Sequence, residues 1–82
     1  MVVIRLYATA REAAGSARID WPAGPAGVSV GSLVKSLAAA HPALAPILRQ
    51  ARFARNGRYV RGRSGRLRAG DELAIHPPYS GG

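Results

Sequence analysis

Apolar and polar positions alternate at both ends of the chain and follow a helical period in the middle. Val2, Ile4 and Leu6 interleave with Val3, Arg5 and Tyr7. That alternation predicts a strand, and the apolar residues on both faces predict a place inside a sheet. Ala8 to Ser16 reads as a connection ending in a Gly15-Ser16 turn, and Ala17 to Trp21 as a weaker strand paired with the first as a hairpin. Trp21 is expected to pack at the core or sheet edge. Pro22 to Gly27 is a loop by composition. Ser29 then has the chemistry of an N-cap. Val30, Leu33, Val34 and Leu37 follow at the spacing of an amphipathic helix. Its alanine-rich end runs to His41, close enough to the C-terminus to meet the helix dipole, and Pro42 stops it. Ala43 to Gln50 is expected to be a short helix or turn interrupted by Pro46.

Asn56-Gly57 is a strong two-residue hairpin signal. It sets Arg55 opposite Arg58, Ala54 opposite Tyr59 and Phe53 opposite Val60, with Phe53 and Val60 on the core face. Residues 62–66 read as a loop and Ala69-Gly70-Asp71 as a turn. Glu72 to His76 is a last strand, with Leu73 and Ile75 on one face. The predicted order is two strands, a helix and three strands. That makes an α+β domain of a mixed sheet of about five strands packed on one main helix. The whole of 1–82 forms this one domain, and its end, residues 76–82, forms a tail.

Pro77 and Pro78 cannot donate ladder hydrogen bonds, so they end the last strand and hold the chain extended. Tyr79, Ser80, Gly81 and Gly82 follow. Two residues without side chains can pass a channel too narrow for a Cβ. The protruding Gly-Gly tail is thus a candidate working part, with the carboxylate of Gly82 as its reactive group. A frayed end is the ordinary fate of terminal glycines. The stiff Pro-Pro lead favours function.

Composition narrows the chemistry. Among 82 residues there is no cysteine, which excludes a thiol nucleophile, a disulfide or a thiolate metal site. Asp71 and Glu72 are adjacent and point to opposite faces of a strand, so they form no catalytic dyad. Glu12 and Asp20 are isolated, and His41 and His76 lack a partner at metal-ligand spacing. The body therefore offers no active site and no metal site. A bare carboxylate is a poor acyl donor, so a partner would have to activate Gly82. No apolar run is long enough to span a bilayer, and the alternating start is no signal-peptide core, so a cytoplasmic protein without membrane contact is expected.

Charge adds one feature. Twelve Lys and Arg against four Asp and Glu give +8 at pH 7. Such a balance favours acidic partners, or else marks a solvated basic surface. Arg49, Arg52, Arg55, Arg58 and Arg61 recur at every third residue. On strands that period puts Arg55 and Arg58 on one face and Arg52 and Arg61 on the other. Phe53 and Tyr59 point to opposite faces as well, which disfavours a nucleic-acid track.

Three segments carry a resemblance. Leu6-Tyr7-Ala8-Thr9-Ala10-Arg11-Glu12-Ala13-Ala14-Gly15, Leu67 to Ile75 with its Gly70-Asp71-Glu72 turn, and Pro77-Pro78-Tyr79-Ser80-Gly81-Gly82 resemble the ubiquitin-like sulfur carriers of the MoaD/ThiS family. Within that family they are most similar to the small subunits of molybdopterin synthase. The resemblance implies a ubiquitin-like β-grasp fold. It implies that an ATP-dependent, E1-like activating enzyme adenylates Gly82, and that sulfur from a donor converts it to a thiocarboxylate. It implies insertion of the tail into a catalytic large subunit within a heterotetramer. There, sulfur passes to a cyclic pyranopterin precursor of the molybdenum cofactor. Gly82 would bear the sulfur, Gly81 would pass the channel, and Pro77, Pro78, Tyr79 and Ser80 would line the tail's passage. No cofactor is bound by the chain itself; ATP belongs to the activating enzyme. The docking surface is expected on the sheet face beside the tail.

Two departures stand out. Family members are often acidic, whereas this chain is basic, which implies acidic docking surfaces on its enzymes. His76 occupies a position where an aromatic is frequent and is expected to be a solvent-facing polar residue. Three other readings remain open at this level: a carrier for thiamine, cysteine or tRNA thiolation, a ubiquitin-like protein modifier joined through Gly82 to lysines, and a basic RNA-binding domain. The Pro-Pro lead speaks against a thiamine carrier.

Overall fold

The last strand is the middle of the sheet. The structure is a computed structural model that describes residues 1–78. β7 (Glu72–His76) lies between β1 (Val2–Leu6) and β4 (Arg52–Arg55). β2 (Arg18–Trp21) and β5 (Arg58–Tyr59) form the edges, giving the order β2-β1-β7-β4-β5. β1 and β7 run parallel, with Leu6 opposite Ile75. The other neighbours are antiparallel, so the sheet is mixed. Burial on both flanks explains the apolar content of β1 and β7.

One face of the sheet carries the core. Val2, Ile4, Leu6, Phe53, Leu73 and Ile75 are all buried on it. Across it lies α2 (Val30–Ala40), which buries Val30, Leu33, Val34 and Leu37. Ser29 caps this helix as its chemistry requires, its hydroxyl accepting from the Ser32 N–H at 3.1 Å. His41 is the C-cap residue, its N–H donating to the Leu37 carbonyl. The sheet and α2 form the expected β-grasp arrangement. No helix among the described residues is long and apolar enough to cross a membrane.

The hairpin register also matches expectation. Arg55 faces Arg58, Ala54 faces Tyr59, and Val60 donates to the Phe53 carbonyl at 2.9 Å. Asn56 and Gly57 both take positive φ, 49° and 85°, as this tight turn demands.

Four expectations are corrected. Ala8 to Ser16 is not merely a connection: Ala8–Ala14 forms α1, closed by Gly15 donating to the Arg11 carbonyl. Its core contact is made by Ala10, a side chain too small to write a strong periodic signal. Hence β2 pairs antiparallel with β1 through a helix and not through a tight hairpin turn. Second, Pro46 does not interrupt a helix. A 3₁₀ turn over Pro42–Leu44 leads into α3 (Ala45–Leu48), with Pro46 in the first turn, where its missing N–H is an orphan anyway. Third, residues 62–66 are not all loop. β6 (Arg66–Leu67) pairs with β3 (Val28–Ser29) in a small second sheet, Val28 opposite Leu67. Fourth, the tail starts at Pro77 and not at residue 76, since β7 runs to His76 as the strand reading expected.

Candidate functional site

The tail leaves the body at the end of β7. His76 is the last strand residue, Pro77 is partly buried and Pro78 is exposed. The strand stops where the donors stop, because neither proline can extend the ladder. Tyr79, Ser80, Gly81 and Gly82 lie outside the described residues. The sequence reading of these four as the working tail therefore has no geometry to set beside it.

The described geometry is that of the tail's root. Parallel pairing sets the end of β1 beside the end of β7, which brings Tyr7 to His76. The two rings stack with centroids 4.8 Å and planes 3° apart. On the other side Tyr59 meets His76 edge-on, its centroid 5.8 Å away and the planes at 61°. The Arg52 guanidinium lies 5.7 Å from the Tyr59 centroid, within cation–π reach. Arg52 is also the register partner of His76 across β4 and β7. Three rings and one arginine thus gather on the sheet face opposite α2, at the root of the tail. His76 is half-buried among them, which corrects its expected solvent-facing role.

Sequence reasoning missed this cluster. Tyr59 and His76 lie on β5 and β7 and Tyr7 directly follows β1, and only the pairing register puts them side by side. Tyr59 is 63% exposed and Tyr7 45%. Two large rings left in solvent on one face, beside the tail root, mark a surface that another molecule can cover. The middle of that face is floored by small residues. Arg5, Ala74, Ala54 and Tyr59 follow one another across the register. Arg5 Nε donates to Glu72 Oε2 at 3.2 Å on the same face. Beyond the turn end of the sheet, Asn56 Nδ2 donates to Asp71 Oδ1 at 3.1 Å, and the Glu72 N–H donates to Asn56 Oδ1 at 2.9 Å. Asp71 Oδ2 accepts from the Arg68 N–H at 2.8 Å. That backbone hydrogen bond, joined by the one from Asn56, holds the Asp71 carboxyl below its ordinary value. This latch pins the hairpin turn to the start of β7, and so fixes the strand that carries the tail.

A helix across a mixed sheet, with its central strand leading straight into the chain's last residues, defines a ubiquitin-like β-grasp domain. The ThiS family profile matches residues 4–82, and the chain belongs to the ThiS family. It is 38% identical over 82 residues to the molybdopterin synthase sulfur carrier subunit of Chlamydomonas reinhardtii, across 99% of this chain and 98% of that protein. Among solved structures it is similar to small archaeal modifier protein 1 of Haloferax volcanii, with 33% identity and a TM-score of 0.76 over 99% of this chain and 98% of that one. The fold is also that of a chain in the complex of subunits 1 and 2 of molybdopterin-converting factor from Helicobacter pylori. The TM-score there is 0.71 at 18% identity, over 99% of this chain and 97% of that one.

Proposed function

We propose that this chain is the sulfur-carrying small subunit of molybdopterin synthase, with Gly82 as the carrier residue. The observation that carries the reading is the near full-length similarity to a molybdopterin synthase sulfur carrier subunit. In the first step an E1-like activating enzyme joins the Gly82 carboxylate to the AMP portion of ATP, releasing pyrophosphate. A sulfur donor then displaces AMP, leaving a C-terminal thiocarboxylate. The large subunit receives the tail and supplies the catalytic groups, and the sulfur passes to a cyclic pyranopterin. The carrier works in the cytoplasm beside its activating enzyme.

The body's part is presentation. β7 is fixed between two strands, so the direction in which Pro77 leaves it is set by the sheet. Pro77 and Pro78 extend that direction, Tyr79 and Ser80 follow through the entrance, and Gly81 and Gly82 pass where a side chain would not fit. The face bearing Tyr7, His76 and Tyr59 docks against the large subunit, as apolar rings beside a polar rim do at protein interfaces. A chain of the same fold was solved in the complex of subunits 1 and 2 of molybdopterin-converting factor from Helicobacter pylori, which is in keeping with a large-subunit partner.

The test is intact mass spectrometry of the protein co-expressed with its activating enzyme and sulfur donor. The expected result is a mass shift matching one oxygen replaced by sulfur, absent when Gly82 is deleted. Absence of the shift in the intact chain would overturn the reading. A second reading, a protein modifier conjugated through Gly82, is favoured by the similarity to the archaeal modifier protein. Conjugates to lysines in lysate, lost on deletion of Gly82, would select it.

A further inference from the structure

The basic charge of this chain is concentrated in one stretch of sequence, which contributes Arg52 to the surroundings of the tail root. Between residues 49 and 68 it has eight arginines and no carboxylate. The two ion pairs among the described residues, Arg5–Glu72 and Arg18–Asp20, include none of these eight. Arg63 and Arg66 donate to backbone carbonyls, of Leu48 and Ala26. The guanidinium groups of Arg52 and Arg61 have neither a carboxylate nor a carbonyl partner among the described residues. At the hairpin turn Arg55 stands directly opposite Arg58, a like-charge pairing.

Arg52 and Arg61 flank a groove of about 340 Å³, also lined by Phe53, Tyr59 and Val60. The groove lies at the free edge of the sheet, because β5 is the last strand in order. The Val60 N–H is used inward, on the Phe53 carbonyl. By antiparallel alternation the backbone groups of Tyr59 then face outward. A free strand edge with two unpaired guanidinium forks suits an extended segment that brings carboxylates. It suits a polynucleotide less. Arg55 and Arg58 lie on the opposite face from Arg52 and Arg61, so there is no single phosphate track.

We infer that this groove docks an acidic segment of the protein that receives the tail. The inference rests on the carrier reading for the identity of that protein, and it names the chemistry of the surface that meets the β5 edge. Arg52 connects the two, since its register partner His76 directly precedes Pro77.

The experiment titrates isotope-labelled full chain with a short alternating Glu-Val peptide and, separately, with an oligouridylate of equal charge, following backbone amide signals. The peptide is expected to shift Arg52, Tyr59 and Arg61. It should bind at least about tenfold more weakly to R52E/R61E, the loss of one charge-assisted hydrogen bond or more. The milder R52Q/R61Q should weaken it in the same direction. Both side chains are exposed, and unchanged amide signals in the core would show that the variants fold. Equal peptide affinity in both variants, or tighter binding of the oligouridylate to the same residues, would overturn the inference. Sulfur loading of Gly82 separates the two ideas. Failure to load the unaltered chain would sink the carrier reading alone. Normal loading with peptide binding indifferent to R52E/R61E would sink the docking groove alone.

Discussion

Tyr7 and His76 lie face to face, 4.8 Å apart between ring centroids, at the ends of the two parallel strands of the sheet. The stack closes the open sheet face where the chain leaves the body. Neither ring is fully buried, so the pair serves surface shape as much as stability. His76→Ala is expected to lower unfolding stability by about 0.5–1 kcal/mol, the usual worth of an aromatic pair. It should weaken association with the large subunit proposed as its partner more than that loss accounts for. His76→Phe, which keeps a ring, should retain both. Thermal unfolding and binding titration of the two variants check this; equal binding by His76→Ala would remove the stack from the docking surface.

Asp71 gives a pH dependence. Its carboxyl is held below the ordinary aspartate value of 3.8, first by the Arg68 N–H and then by Asn56. A depressed folded-state pKa stabilises the fold above the unfolded value, and the contribution is lost as pH falls through the folded one. Unfolding stability should therefore decline on acidification below about pH 4, the aspartate reference range. In Asp71→Asn this part of the decline should disappear. Urea unfolding across the acid range, with both proteins, measures it.

Gly27 is held against the small second sheet. Its φ is +79°, and a Cβ there would come within 2.6 Å of the Leu67 carbonyl oxygen. Gly27→Ala is expected to cost about 2 kcal/mol, from the left-handed backbone and the clash together. Denaturant unfolding would show it. A variant as stable as the parent would mean that β3 and β6 separate at little cost.

Ala8 predicts the opposite sign. It turns the chain from β1 into α1 with φ +50°, a left-handed conformation unfavourable for alanine. Ala8→Gly should therefore raise stability by about 0.5 kcal/mol, the relief of strain less the added freedom of the unfolded chain. At an ordinary helical position the same change lowers stability by about 1 kcal/mol. Equilibrium unfolding of this one variant decides the sign.

Local chemistry was readable without coordinates. Ser29 caps α2 because its hydroxyl can reach an orphan amide, whatever the rest of the chain does. Asn56-Gly57 forms its turn because both residues tolerate positive φ, and this alone dictated that Arg55 faces Arg58. Pro77-Pro78 ends β7 for want of donors. Alternation at Val2, Ile4 and Leu6 identified a buried strand face. What was missed locally had a weak signal. α1 is seven residues long and buries an alanine, and β3 and β6 are two residues each.

Tertiary structure decided what no local rule contains, namely which strands are neighbours. β1 and β7 stand at opposite ends of the chain, and only core burial on both their flanks pairs them, parallel, with Leu6 beside Ile75. That pairing stacks Tyr7 on His76. The β4–β7 pairing sets Arg52 beside His76 and brings Tyr59 to the same face. Residues 69 positions apart became one surface because a pleated sheet transmits register across its strands, and register is fixed by the core they bury together. The sequence by itself determined where elements start, turn and stop; the shared core determined what stands around the root of the tail.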